Sequence, residues 1–167
     1  DEALKVVRRV HQDSADDGTI LVFLTGKREI EAFCAELRDG PLDVAPLYAQ
    51  MPLSKQRQAF APKRDGYARK VVVATDVAET SLTIPGVIHI VDCGRAKRQV
   101  LTDGNSGAVA HRVAWIARAN ADQRAGRAGR TGPGHCHRLY SSAVYAETFE
   151  ASEKPEILRL PVVDVAL

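Results

Sequence analysis

Residues 123–130 hold the side chains of this sequence best suited to phosphate chemistry. On a helix, Gln123, Arg127 and Arg130 share one face because they stand at i, i+4 and i+7. Arginines offset the charge that develops on a transferred phosphoryl group, and a glutamine amide can orient the attacking water. The alternative is a basic helix that lies on nucleic-acid phosphates. Gln123, Arg127 and Arg130 are therefore the candidate catalytic residues.

A second string, residues 74–84, follows an apolar run and is rich in hydroxyl and acidic side chains. Such a loop can present hydroxyls and backbone N–H groups to a phosphate or to the edge of a sugar. The alternative is an ordinary turn in which Asp76 caps a helix. Taken alone, residues 74–84 favour the ordinary turn over the phosphate-binding loop.

Basic charge is unevenly distributed along the 167 residues. The whole chain has a net charge of +2, whereas residues 95–138 carry nine Arg and Lys against two Asp. Such a block is typical of a polyanion-binding surface, and a solvated basic face is the alternative. Arginine favours bidentate phosphate contacts more than lysine does. Five arginines of the block lie close together: Arg118, Arg124, Arg127, Arg130 and Arg138.

Composition excludes several classes of protein. With 45% hydrophobic and 26% charged residues, the chain has the balance of a folded domain rather than a disordered one. Its three cysteines are far apart, which supports neither a disulfide framework nor a zinc ribbon, so we expect an intracellular protein. No apolar run is long enough to span a bilayer, and we expect no membrane partner. Residues 135–137 (His-Cys-His) predict a strand with Cys136 facing the core rather than a metal site.

Short apolar runs alternate with helical periodicities, which predicts βαβ units and a parallel sheet with helices on both faces. The predicted strands are residues 19–24, 43–48, 70–75 and 87–91. The predicted helices are residues 2–12, 27–38 and a short helix that Ser54 caps and that reaches Phe60. A dinucleotide oxidoreductase is disfavoured because no GxGxxG follows the first strand.

Residues 95–116 interrupt this alternation. Two extended runs flank Asp-Gly and Asn-Ser-Gly turns, a pattern that predicts a β-hairpin. Its basic residues predict that it protrudes and contacts a negatively charged partner.

Together, these strings resemble the motifs of superfamily-2 helicases. Residues 123–130 look like motif VI, residues 74–84 like motif V in its DEAH-box form, and residues 21–26 like the DEAH motif IV. They occur in the order and spacing of the family, and the likeness covers nearly the whole chain. The chain resembles the second RecA-like domain of a DEAH-box RNA helicase.

This resemblance implies an α/β fold: a RecA-like, mostly parallel sheet with helices on both faces and a protruding β-hairpin. The domain would occupy residues 1–154, with the hairpin at about residues 95–116. Residues 155–167 would begin the connection to a winged-helix domain.

The resemblance also implies roles for individual residues. Arg127 and Arg130 would be arginine fingers, Gln123 would position the hydrolytic water, and Phe60 matches the aromatic that stacks on adenine. Two further nucleotide contacts would be Ser81 and Thr83. The RNA-binding residues would be Thr25, Gly26, Thr75, Thr80, Arg95, Lys97, Arg98 and Arg112.

The implied cofactor is ATP with Mg²⁺, whose ligands would lie with the phosphate loop on a preceding domain, so we expect no ATPase activity from this chain alone. The implied partners are RNA, the preceding RecA-like domain, the following winged-helix domain and an activator protein. Residues 91–94 and 139–145 look most like the eukaryotic branch acting in small-ribosomal-subunit biogenesis, which implies a nuclear or nucleolar location. A splicing or bacterial DEAH helicase is an alternative, and a non-catalytic RNA-binding module is an alternative of another class.

Overall fold

The computed structural model of the chain describes residues 1–79, 83–101, 109–128 and 132–153. Its helices are α1 (Glu2–Asp13), α2 (Lys27–Leu37), α3 (Leu53–Phe60), α4 (Arg118–Ala125) and α5 (Ser142–Glu147). Its strands are β1 (Thr19–Phe23), β2 (Leu42–Leu47), β3 (Arg69–Ala74), β4 (Val87–Asp92), β5 (Arg95–Leu101), β6 (Val109–Trp115) and β7 (His135–Arg138). The strands and helices predicted from the apolar pattern are all present.

Five of these strands form one sheet in the order β2-β3-β1-β4-β7, and every neighbouring pair is parallel. Val22 of the central strand pairs with Val73 on one side and Val91 on the other. All residues of β1 and β3 are buried, as expected of strands that are covered on both faces.

Helices cover both faces of the sheet. On one face, α1 and α2 pack through residues at helical spacing, among them Val7, Val10, Ile30 and Phe33. The second core cluster, on the other face, contains Ala59 from α3 together with Leu21, Phe23 and other apolar side chains of the strands. The α/β architecture with helices on both faces is therefore confirmed.

Two local predictions about the helices are wrong. The structure has Pro52 at the N-cap of α3, so Ser54 lies inside the first turn and caps nothing. The α-helix expected across residues 123–130 ends at Ala125, and residues 126–128 continue as a turn that we call the arginine turn. Gly126 takes the C-cap position with a φ of −64°, which lies in the ordinary helical region.

β5 and β6 form the predicted antiparallel hairpin, separate from the main sheet. Gly94 starts it with a φ of +70°, a conformation that favours glycine. A side chain at this position would also clash with Tyr140, since a Cβ would lie 2.5 Å from its ring. The base of the hairpin packs on α4 and α5 through a small third cluster that includes Ile116 and Phe149.

β2 forms one edge of the main sheet among the described strands. The Thr75 N–H donates to the Leu47 carbonyl at 3.2 Å, so Leu47 and the residues that alternate with it direct their backbone groups toward β3. Val44 and Pro46 direct theirs toward the free edge, and Pro46 has no N–H. No helix of the described part of the chain is long and apolar enough to cross a bilayer.

Candidate functional site

The carboxyl ends of β1 and β3 lie side by side because the two strands are parallel neighbours. The Leu24 N–H donates to the Ala74 carbonyl at 2.9 Å, which holds the starts of the two following loops together. Thr25 and Gly26 follow β1, and Thr75 follows β3. The structure thus brings three of the predicted RNA-binding residues to the edge of the sheet at which open α/β sheets bind their ligands.

Local backbone geometry explains how these residues are held. Gly26 is the N-cap of α2, and Thr75 caps a short 3₁₀-helix, Asp76–Ala78, by accepting a hydrogen bond from the Val77 N–H at 3.4 Å. A Cβ placed on Gly26 would lie 3.9 Å from the Lys97 side chain, so the hairpin also reaches this edge.

The hairpin presents cations on both of its faces. Arg98 pairs directly opposite Arg112, and Lys97 belongs to the other face because alternate strand residues point in opposite directions. Lys97 and Arg112 are exposed. Arg95 is exposed as well, with its guanidinium 4.2 Å from the ring centroid of Trp115. Three of the four hairpin residues that are predicted to bind RNA are therefore exposed to solvent.

Arg98 differs from the other three hairpin cations. Its Nη1 donates to the Asp76 carboxylate at 2.8 Å, and its Nη2 donates to the Glu153 carboxylate. Two carboxylates thus offset its charge, and Arg98 connects the hairpin to the 3₁₀-helix that follows β3. Its predicted contact with RNA stays a prediction.

Gln123 and Arg127 lie near each other in sequence at the end of α4. Gln123 is exposed, and Arg127 is half-buried in the arginine turn. The backbone N–H of Arg127 donates to the Arg124 carbonyl at 3.1 Å. The Nη2 of Arg127 donates to the backbone carbonyl of Glu79, in the loop after β3. The structure therefore brings the two strings that sequence motifs singled out, residues 74–84 and 123–130, into contact.

Phe60 is half-buried at the end of α3 and packs against the second core cluster, to which Ala78 and Ala128 also belong. The end of α3, the loop after β3 and the arginine turn therefore lie over the same face of the sheet. Thr83 is exposed on that loop. The predicted site residues that lie outside the described residues are Thr80, Ser81 and Arg130.

A buried ionic network beneath the arginine turn was missed by sequence reasoning, which counted Arg124 with the basic surface block. Arg124 is fully buried, with its Nε donating to the Glu79 Oε1 at 2.7 Å and its Nη1 to the Asp92 Oδ1 at 2.7 Å. Its guanidinium also lies 4.7 Å from the ring centroid of Phe23. The signal that could have revealed it is Asp92, because a carboxylate at the end of an apolar strand needs a buried partner.

The carboxylates of this network stabilise the charged form of Arg124. Burial lowers the pKa of Arg124, but the Asp92 and Glu79 carboxylates outweigh burial and raise that pKa above its usual value. The Tyr140 hydroxyl donates to the second oxygen of Asp92 at 3.0 Å, and burial together with this carboxylate raises the pKa of Tyr140. Arg124 therefore stays charged, and only its Nη2 has no partner among the described residues.

β7 and β4 bring three histidines together. His135 and His137 lie on one face of β7, and both rings stack on His89, with ring centroids 5.3 and 5.9 Å apart. Cys136 packs against the second core cluster, as predicted. His89 binds the Asp16 carboxylate at 3.0 Å. Within the described ranges, no group of three His, Cys, Asp or Glu side chains could hold a metal ion.

Comparison with known proteins decides the family. Residues 2–132 match the family described as Helicase conserved C-terminal domain. The chain belongs to this family. The helicase C-terminal domain is 52% identical over 129 residues to the probable ATP-dependent RNA helicase DHR1 of Saccharomyces cerevisiae. It is 55% identical over 127 residues to the probable ATP-dependent RNA helicase DHX37 of Homo sapiens.

These alignments cover 77% and 76% of the chain but only 10% and 11% of the two relatives, so the chain spans about a tenth of their length. The crystal structure of the E. coli DExH-box NTPase HrpB matches with a TM-score of 0.84 at 34% identity, over 98% of this chain and 20% of that one. The RecA-like fold and the helicase membership that the motifs predicted are therefore confirmed.

Proposed function

We propose that this helicase C-terminal domain forms one wall of a composite ATP site and half of an RNA channel in a DEAH-box, ATP-dependent RNA helicase. The observation that carries the proposal is the hydrogen bond from Arg127 to the Glu79 carbonyl. This contact joins a motif VI-like arginine to the motif V-like loop, at the ligand-binding edge of the sheet. The names of the two relatives, both probable ATP-dependent RNA helicases, support the same function.

The residues on this wall fit a nucleotide. Gln123 offers an exposed amide, Arg127 a guanidinium and Phe60 an aromatic ring, which match a water, a phosphate and a base. Arg127 and Arg130 would offset charge on the transferred phosphoryl group, and Gln123 would hold the attacking water. When bound, Mg²⁺ would neutralise phosphate charge. Its ligands would lie on the preceding RecA-like domain.

The edge of the sheet at which β1 and β3 end, which we call the carboxyl edge, suits an RNA backbone. The hydroxyls of Thr25 and Thr75 and the backbone of Gly26 can meet phosphate and ribose, contacts that fix position without reading sequence. The exposed cations Lys97 and Arg112 on the hairpin would add salt-sensitive attraction. Opening and closing of the cleft between two RecA-like domains would then move the RNA stepwise.

The biological setting that we propose is small-ribosomal-subunit biogenesis in the nucleus or nucleolus, with ribosomal RNA as the substrate class. It rests on the likeness of residues 91–94 and 139–145 to that branch of the family. The domain would occupy residues 1–154, a winged-helix domain would follow residues 155–167, and an activator protein would stimulate the whole. A splicing or a bacterial DEAH helicase is the alternative setting.

RNA-stimulated ATP hydrolysis by the full-length protein that carries this domain tests the proposal. Arg127→Ala should lower the stimulated rate by roughly 10³–10⁵ and leave RNA binding intact. Arg8→Ala is the matched control, because Arg8 is exposed on α1 and lines a cleft with Leu37 and Leu42, where β2 begins. Wild-type turnover in Arg127→Ala, or no ATPase activity in the wild type, would instead support a non-catalytic RNA-binding module.

A further inference from the structure

Glu79 contacts α4 and the arginine turn in three ways. Its Oε1 accepts from the Arg124 Nε at 2.7 Å, and its Oε2 accepts from the Asn120 Nδ2 at 2.8 Å. Its backbone carbonyl accepts from the Arg127 Nη2. The side chain of Glu79 is only 5% exposed, and its contact with Arg124 is buried, whereas Asn120 and Arg127 are half-buried. A single residue of the loop after β3 therefore contacts both α4 and the arginine turn.

The charges in this network do not cancel without Arg127. Glu79 and Asp92 are both buried carboxylates, whereas Arg124 is the cation that pairs with both. Two negative charges and one positive charge leave an excess of one negative charge in a medium that screens poorly. Arg127, bound to the Glu79 carbonyl, adds a positive charge next to it. The network thus attracts the side chain that the proposed function places at the phosphate.

We infer that Glu79 is a positioning residue for Arg127, an inference that rests on the proposed function. The carboxylate anchors α4 through Asn120 and Arg124, and the carbonyl directs the guanidinium of Arg127. Glu79 also follows directly on the segment that begins with Thr75, a predicted RNA-contacting residue. RNA that displaces this loop would therefore move the arginine, and Glu79 links RNA binding to the orientation of Arg127.

The test is steady-state ATPase kinetics of the full-length protein, with and without RNA. Glu79→Gln keeps the size and one hydrogen-bond acceptor of the side chain but removes its charge. We expect the RNA-stimulated kcat to fall about ten- to hundredfold, as small misplacements of a catalytic group do, and the ratio of stimulated to basal rate to fall with it. The KM for ATP and the affinity for RNA should change little, because Glu79 binds neither.

Three further variants separate positioning from stability. Asp122→Asn makes the same chemical change to an exposed carboxylate of α4 and should leave all rates unchanged. Asn120→Ala removes only the Oε2 contact and should shift the stimulation ratio in the same direction by a smaller factor. In an Arg127→Ala background, Glu79→Gln should cause no additional loss, because residues that act as a unit are non-additive.

The outcomes separate this inference from the proposed function. Normal stimulation in a folded Glu79→Gln protein, or a full additional loss in the Arg127→Ala background, overturns the positioning role even if Arg127→Ala alone inactivates the enzyme. Wild-type turnover in Arg127→Ala overturns the proposed function itself. Thermal melting shows whether each variant is folded. If Glu79→Gln does not fold, the ratio of stimulated to basal rate in Asn120→Ala tests the inference instead.

Discussion

The Nε of Arg124 lies 2.7 Å from the Oε1 of Glu79, and both side chains are withdrawn from solvent. The pair connects α4 to the loop after β3, two segments that are 45 residues apart in the sequence. Asp92, at the end of β4, binds the same guanidinium from the other side. One cation therefore connects α4, the loop after β3 and the end of β4.

Removing that cation should destabilise the domain strongly. Arg124→Met leaves Glu79 and Asp92 as buried carboxylates without their partner, which should cost about 3–5 kcal/mol in the free energy of unfolding. Urea denaturation of the domain measures this loss. Arg138→Met, which breaks the more exposed ion pair with Asp122, should cost less than about 1 kcal/mol. Equal losses in the two variants would contradict the structural role assigned to Arg124.

The ring of Phe60 should contribute to nucleotide affinity more than to catalysis. Phe60→Ala in the full-length protein should raise the KM for ATP about tenfold, since stacking of a base on an aromatic side chain contributes about 1–3 kcal/mol. The kcat should change much less. Tyr67→Ala removes another aromatic ring, one that stacks on Arg64 instead, and serves as the control. A KM for ATP that stays at the wild-type value would rule out stacking by Phe60.

Acid should destabilise the domain through His137. Burial, helped by His89, His135 and Arg9, lowers the pKa of His137. As the pH falls below about 6.5, the unfolded chain takes up a proton that the folded chain resists, so stability falls with pH until it passes the folded pKa. His137→Gln should therefore flatten the decrease of Tm between neutral pH and pH 5. His111→Gln, an exposed hairpin change, should leave the profile unchanged, and identical profiles for all three proteins would contradict the prediction.

The hairpin cations should differ in how they affect RNA binding. Lys97→Ala should weaken binding to all sequences and reduce the slope of log K against log salt by about one, as for the loss of one phosphate contact. Arg98→Ala should change that slope less, because Asp76 and Glu153 already offset its charge. Anisotropy titrations over a series of salt concentrations measure both slopes. A larger slope change for Arg98→Ala than for Lys97→Ala would reverse this assignment.

Much of the fold could be predicted from the sequence because its signals are local. β1 and β3 are uninterrupted apolar runs, and strands of this kind occur where helices cover both faces of a sheet. The Asp-Gly and Asn-Ser-Gly turns between two extended runs indicated the hairpin. The order of the five strands could not be predicted in this way, because it depends on packing between segments that are distant in the chain.

The candidate site was predictable only in part. Motif strings located Arg127 and Gln123, but the i, i+4, i+7 spacing suggested a longer helix than the one that ends at Ala125. Gly126 carried the opposing signal, since glycine favours helix ends. The burial of Arg124 could not be read from neighbouring residues, because its partner Asp92 is 32 residues away. The sequence gives the positions of the basic residues, whereas the tertiary fold determines which of them are exposed to solvent.

The edge strand β2 also has a consequence for how the molecules behave toward one another. A strand from a second copy would need a continuous row of donors and acceptors along this edge to extend the sheet. Pro46 removes one donor from the outward row, and natural sheets use proline at edges for this purpose. The domain should therefore resist edge-to-edge aggregation at high concentration. Pro46→Val would restore the donor and is the substitution most expected to lower solubility without disturbing the carboxyl edge of the sheet.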